Sequence, residues 1–151
     1  MQGALGRNPA SDIYALYAGA AVAVTAGGAG DATEALTPAI DLTALPDRFE
    51  AVTFVAPVTA TLAATKSLTV TGKFITSDDD VTYTDMTSAS TVLTLSSTAG
   101  GTVTGAIVAD CSLEYAKRYV KFGITPDLSA ANTDTANIQR SLQFSGRRKQ
   151  S

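Results

Sequence analysis

Residues 118–144 carry the clearest alternation of hydrophobic and polar positions in the chain. Val120, Phe122 and Ile124 fall on one face of an extended segment, and Tyr119, Lys121 and Thr125 fall on the other, as in a half-buried strand. Ile138, Leu142 and Phe144 share a second such face with Arg140, opposite Gln139, Ser141 and Gln143. The intervening stretch is rich in Pro, Asp, Asn, Ser and Thr, whose side chains cap turns, and its Pro126 removes a ladder donor. The pattern predicts two antiparallel strands joined by a long, structured connection.

Upstream, Val52, Phe54, Ala56, Val58, Ala60 and Leu62 share one parity, a long alternating run in which Pro57 marks an edge, a bulge or a break between two strands. Leu68, Val70 and Phe74 repeat the pattern, with a bend expected at Gly72. The acidic triplet Asp78, Asp79 and Asp80 follows. Then come strand signals at residues 81–84 and 90–96, a turn at Gly100 and Gly101, and a further strand at 102–109. Signals spaced by about ten residues between turn clusters are the mark of a sandwich or Greek-key barrel. Residues 39–45 offer one short strand closed by Pro46 and Asp47, and residues 113–119 are the best candidate for a single helical turn.

The chain before residue 35 reads as an extended N-terminal arm. Ser11 can cap a short turn carrying Ile13, Leu16 and Tyr17, while residues 21–25 read equally well as a strand, and the sequence leaves both open. A Gly-rich polar link follows, with little to bury. The expected organisation is an arm and link at 1–34, one all-β antiparallel domain at 35–145 and a basic tail at 146–151. Phe54, Leu68, Val70, Phe74, Val120, Phe122, Ile124, Leu142 and Phe144 are expected inside. An arm bearing Tyr14, Leu16 and Tyr17 has little reason to be apolar unless it packs on another chain, so a homo-oligomer is expected.

Composition narrows the picture. A chain of 151 residues suits one domain with a genuine core. Charged residues make up 17% and aromatics 7%, so the core must use small and β-branched side chains, which favours strands. The net charge of −3 and a pI near 4.7 argue against a nucleic-acid partner. The apolar run at 18–24 is too short and Gly-rich for a membrane span, and Asp12 in its approach speaks against a signal peptide. Synthesis in a cytoplasm and no membrane partner are therefore expected.

No catalytic set assembles. The chain has no His, and its one Cys, Cys111, reads as a small, semi-buried hydrophobe beside Asp110. Nucleophile-elbow, phosphate-loop and zinc spacings are absent, so no enzyme activity, cofactor or metal is expected. The Asp78 to Asp80 cluster could hold a hard cation, yet it lacks the spacing of a calcium loop and reads as a solvated hairpin tip. Asp127, Asn132 and Asp134 are the residues a loop uses to satisfy its own backbone. Arg147, Arg148 and Lys149 form a basic run that is either a solvated terminus or an electrostatic tether to an acidic neighbour.

The turn from Ser77 to Asp80 with Tyr83 behind it, then the stretch from Arg118 to Ala136 and a closing short strand, resemble the capsid decoration, or cement, proteins of tailed bacteriophages. The resemblance covers about the C-terminal half. It implies a β-rich protein on the capsid exterior of a virion, bridging major capsid protein subunits, with a trimer as its oligomer. The chain departs from that pattern at its end, where a basic tail replaces an apolar, Gly-rich finish. The arm (Tyr14, Leu16, Tyr17), the loop (Asp127, Asn132, Asp134) and the tail (Arg147, Arg148, Lys149) are the partner-binding residues this reading selects. A tail or baseplate component and a carbohydrate- or receptor-binding sandwich are the alternatives. The latter usually displays a platform of exposed aromatics, which the sequence does not suggest.

Overall fold

Strand β5 (Ala51–Leu62) runs unbroken for twelve residues, its even-numbered side chains buried and its odd-numbered ones turned outward. In this computed structural model, which describes residues 13–129 and 133–147, β5 is the centre of the first of two antiparallel sheets. Strand β9 (Gly101–Ser112) pairs with it along its whole length. Its other side is shared by β12 (Ser141–Ser145), opposite residues 51–55, and β11 (Thr135–Ile138), opposite residues 58–61.

The second sheet is built around β6 (Lys66–Ser77). Strand β10 (Tyr119–Leu128) lines one side of it, and β7 (Thr84–Asp85) and β8 (Ser90–Ser97) share the other. Two short strands, β3 (Ala35–Leu36) and β4 (Ile40–Asp41), border β10. The result is a sandwich, with the inner faces of both sheets meeting in one core.

All nine side chains expected inside are buried at 0–1% exposure. Phe122 of β10 stacks on Phe54 of the facing sheet, ring centroids 4.2 Å apart, and meets Phe74 beside it at 4.5 Å. Gly72 makes room for that ring, since a Cβ there would lie 2.6 Å from Phe122 Cζ. Strand β6 continues through Gly72 without a break, and its pairing with β8 shifts register between Val70 and Thr71, beside the position where a bend was expected.

The two prolines of the pattern also sit within continuous strands. Pro57 O accepts from Gln139 N at 3.0 Å, so Pro57 faces the gap where β11 gives way to β12, and its missing N–H removes nothing from the ladder to β9. Pro126 O accepts from Ala32 N at 2.7 Å, so its missing donor faces the bordering segment and not β6. Strand β10 therefore continues to Leu128.

Several expectations are corrected. The strands at 118–125 and 138–144 are present, but they lie in different sheets and do not pair with each other. Alternation fixes which face is buried, not which strand is the neighbour. Of the expected arm, residues 1–12, including Ser11, lie outside the described residues, and the rest is no arm. Strand β1 (Ile13–Tyr17) pairs with β12, and β2 (Val22–Thr25) pairs with β11. Val24, Ala18 and Ala26 are buried in the core, small side chains filling space that larger ones could not enter.

The Gly-rich link is likewise ordered. Asp31 accepts from Gly27 N at 2.7 Å and from Leu128 N at 2.9 Å, fastening the link to the end of β10. No helix forms at 113–119, but Ala116 N donates to Leu113 O at 3.1 Å and closes one hydrogen-bonded turn over Glu114 and Tyr115. A 3-10 turn forms at Leu42–Ala44, capped by Asp41, where a strand over 39–45 was expected and only Ile40–Asp41 is in a strand. Of residues 81–84, only Thr84 enters a strand.

The Phe122 contact gives a direct test. Gly72→Ala forces a methyl against the ring and should destabilise the fold by about 1–3 kcal/mol, the range for overpacking a dense core. Urea unfolding followed by circular dichroism measures it, and an unchanged midpoint would show that the ring is not confined as described.

Candidate interaction surface

Those of the residues selected from the sequence that the structure describes are not brought together. Tyr14 and Leu16 are half-buried on the inward parity of β1, and the Tyr14 ring stacks on Phe49 at 6.2 Å, with Phe49 in turn 6.0 Å from Phe144. The Tyr17 side chain, Asn132, Arg148 and Lys149 lie outside the described residues. Asp127 is exposed on the second sheet, opposite Thr69. Arg147 Nε lies 2.7 Å from Asp47 Oδ2.

Asp134 is buried, 1% exposed, and works as an internal tie. Its Oδ1 accepts from Ala63 N at 2.8 Å, holding the turn between β5 and β6, and its backbone O accepts from Ala26 N at 2.9 Å, just past β2. Its Oδ2 has no hydrogen-bond partner among the described residues. A carboxylate enclosed in this way orders the fold and does not reach a partner.

The acidic turn is occupied by its own surroundings. Asp79 Oδ1 accepts from Ser77 Oγ at 2.8 Å, from Val81 N at 2.9 Å and from Thr82 N at 2.8 Å. Those donors hold its pKa down at about 2, the backbone N–H groups of Thr82 and Val81 contributing most. Asp78 pairs with Lys117 at 3.0 Å, and Asp80 accepts from the Tyr83 hydroxyl. No group of three or more potential metal ligands converges among the described residues. Cys111 is half-buried on the inward parity of β9, and burial followed by the charge of Asp110 pushes its thiol pKa up, away from reactivity.

An open cleft at one end of the sandwich, about 520 Å³, is lined by Leu42, Leu45, Phe49, Leu113 and Arg118 among others. Arg118 is already held bidentately by Asp41, which keeps that carboxyl far below its ordinary pKa. Thr43, which also lines the cleft, donates its hydroxyl to Asp41 Oδ1 at 2.6 Å, beside the backbone contact that caps the 3-10 turn.

The distinctive feature is the difference between the two outer faces. On the second sheet, Lys73 pairs with Asp85 at 3.1 Å, Lys121 lies 4.4 Å over the Tyr83 ring, and Asp127 and Asp41 add further charge. The first sheet is the opposite. Strand β5 presents Thr53, Val55, Pro57, Thr59 and Thr61, and β9 presents Thr102, Thr104, Ala106, Val108 and Asp110. Strands β11 and β12 add Thr135, Asn137, Ser141, Gln143 and Ser145. Among the described residues, Asp110 is the one charged side chain at an outward strand position of this sheet. Sequence reasoning missed the face because each strand alone reads as an ordinary alternation, and only the sheet order shows that the neutral positions adjoin.

No protein-family model and no curated protein matches this sequence. The fold is similar to that of chains in solved structures of infectious bursal disease virus. A chain of the Gx strain is 11% identical over 92% of this chain, with a TM-score of 0.52, and one of the Gt strain is 12% identical over 89%, with a TM-score of 0.51. A chain of the VP2 subviral particle of the same virus is 11% identical over 89% of this chain, with a TM-score of 0.47. This chain spans about a third of their length, 33% for the two strains and 32% for the subviral particle. At such identity the likeness is one of fold, and the two strains carry it.

The Asp79 turn makes a prediction about acid. Its folded pKa is depressed from 3.8 to about 2, so its contribution is complete above 3.8 and is lost as pH falls toward 2. Asp79→Asn should melt below the wild type at neutral pH, and the gap should close across that window. A gap of constant size down to the lower end would mean that ionisation of Asp79 does not order the turn.

Proposed function

We propose that this protein is a non-enzymatic virion structural protein that binds the outside of a tailed-phage capsid and stabilises contacts between major capsid subunits. The observation that carries the reading is the broad, nearly uncharged outer face of the first sheet. Thr, Ser, Ala and Val side chains lose little rotamer freedom when covered. A face with a single charge, Asp110, also limits the penalty of stripping water from ions. A rigid sandwich with such a face can lie across a seam between subunits, and many symmetry-related copies engaging together multiply a weak contact through effective concentration. The sandwich seen in infectious bursal disease virus chains supports the architecture, and the resemblance of the C-terminal half to decoration proteins supports the location.

In this reading the bound surface lies on the first sheet, not on the arm expected from the sequence, because β1 and β2 are committed to the fold. Arg148 and Lys149 remain candidates for a secondary, salt-sensitive tether to an acidic neighbour. Self-association is part of the same proposal.

Counting copies per virion by quantitative mass spectrometry tests the role. Hundreds of copies are expected for a head protein, while a handful would indicate the tail and none would overturn the reading. Thr59→Lys combined with Thr104→Lys, two residues directly opposite on β5 and β9, should abolish occupancy at low and high salt. Undiminished binding of that variant would move the contact off the first sheet.

A further inference from the structure

We infer that β9 is an assembly edge, pairing antiparallel with β9 of a second copy about a two-fold axis at Val108. The argument starts from the direction of its backbone groups. Pro57 faces β11 and β12, because its O accepts from Gln139 N, so the residue opposite it on β9, Ala106, belongs to a pair that exchanges no hydrogen bonds. At the end of the same ladder, Leu113 N donates to Glu50 O at 2.8 Å, which points odd-numbered residues toward β5. Even-numbered residues therefore point their N–H and C=O groups away from β5. For Ala106, Val108 and Asp110 these groups have no protein partner among the described residues.

An edge of this kind is normally blunted. Lys, Pro, bulges and short strands are the usual devices, since unpaired ladder groups are a template for another chain. Strand β9 uses none of them: it is twelve residues long, contains no Lys, Arg or Pro, and keeps one register against β5 throughout. The other borders differ. Strands β1 and β2 are five and four residues long, β3, β4 and β7 two each, and β8 is offset by a register shift. Leu93 and Leu95 of β8 lie under Gly105, while beyond it Val108 stands 67% exposed, a large apolar side chain on a solvent edge.

Charge decides in favour of a second copy. A partner strand bearing several acids or more than one cation finds no matching set of charges along β9, whose one charge is Asp110. Self-pairing centred on Val108 sets Asp110 opposite Ala106 of the copy, so the two carboxylates never face each other. It also covers Val108 with its own counterpart, a β-branched cross-strand pair. Three facing pairs would exchange roughly six hydrogen bonds. The first sheets of the two copies would then continue into each other and double the neutral face. A two-fold pair takes the place of the trimer that the family resemblance implies.

The test needs only the full chain in solution, so it stands or falls apart from any virion role. Sedimentation across a dilution series should give twice the 15.4 kDa chain mass for the wild type. Val108→Pro removes an N–H that points to the open edge and leaves the ladder to β5 intact, and Val108→Lys sets two ammonium groups against each other at the axis. Both should sediment as monomers with an unchanged far-ultraviolet circular dichroism spectrum, whereas Val108→Thr should stay dimeric. A monomeric wild type, a wild-type trimer, or a dimer that survives both the Pro and the Lys variants would overturn the inference.

Discussion

The separation of the two sheets is set at one place, where Phe122 lies between Phe54 and Phe74 above Gly72. A core with few aromatics and many Ala and Val side chains has little else wide enough to bridge facing sheets about 10 Å apart. The small residues then become an asset. Ala56 and Ala60 on β5 and Ala136 on β11 allow close approach where no ring intervenes, and Tyr14, Phe49 and Phe144 form a second aromatic group toward one end. Larger side chains at the alanines would compete with the rings for the same space.

From that fixed spacing, connectivity follows through the orientation of single backbone groups. Pro57 interrupts nothing because the carbonyl it carries points to a gap between two strands, and Pro126 sits where the bordering segment supplies the complementary donor. Asp31 and Asp134 do the remaining work from within loops, each holding a main-chain N–H of a different element. These ties explain why the N-terminal segment is folded into the sandwich. Its strands are short, and their ladder bonds to β12 and β11, the Asp ties and the inward packing of Tyr14 and Leu16 hold them in place.

The strands and the buried parity were legible in the sequence, since alternation reports the face directly. The nine core positions were correct for that reason, and so was the sandwich. What failed was everything that depends on neighbours. Residues 118–125 and 138–144 look like a pair because they are consecutive, yet they belong to different sheets. Residues 13–25 look like an arm because propensity weighs each residue alone, whereas β1 and β2 gain their stability from β12 and β11. Asp134 was noted as a loop-ordering residue, but its burial was invisible without the turn at Ala63 that it holds. The neutral outer face was hidden for the same reason, because it is a property of strand order.

That face and the charged one behind it place different demands on solvent. The second sheet spends its charges on one another, through Lys73 and Asp85 and through Arg118 and Asp41, so it stays hydrated and repels non-specific partners without needing any contact. The first sheet has no such defence over its width, and its hydroxyl groups are the main reason it remains compatible with water. Thr61 and Thr102 lie within 3.4 Å of each other across the strands, so even part of that polarity is turned inward to a neighbour. A surface so weakly hydrated gains when another flat, neutral surface covers it. That gain requires no change in the sandwich, whose inner face is already fixed by the stacked rings.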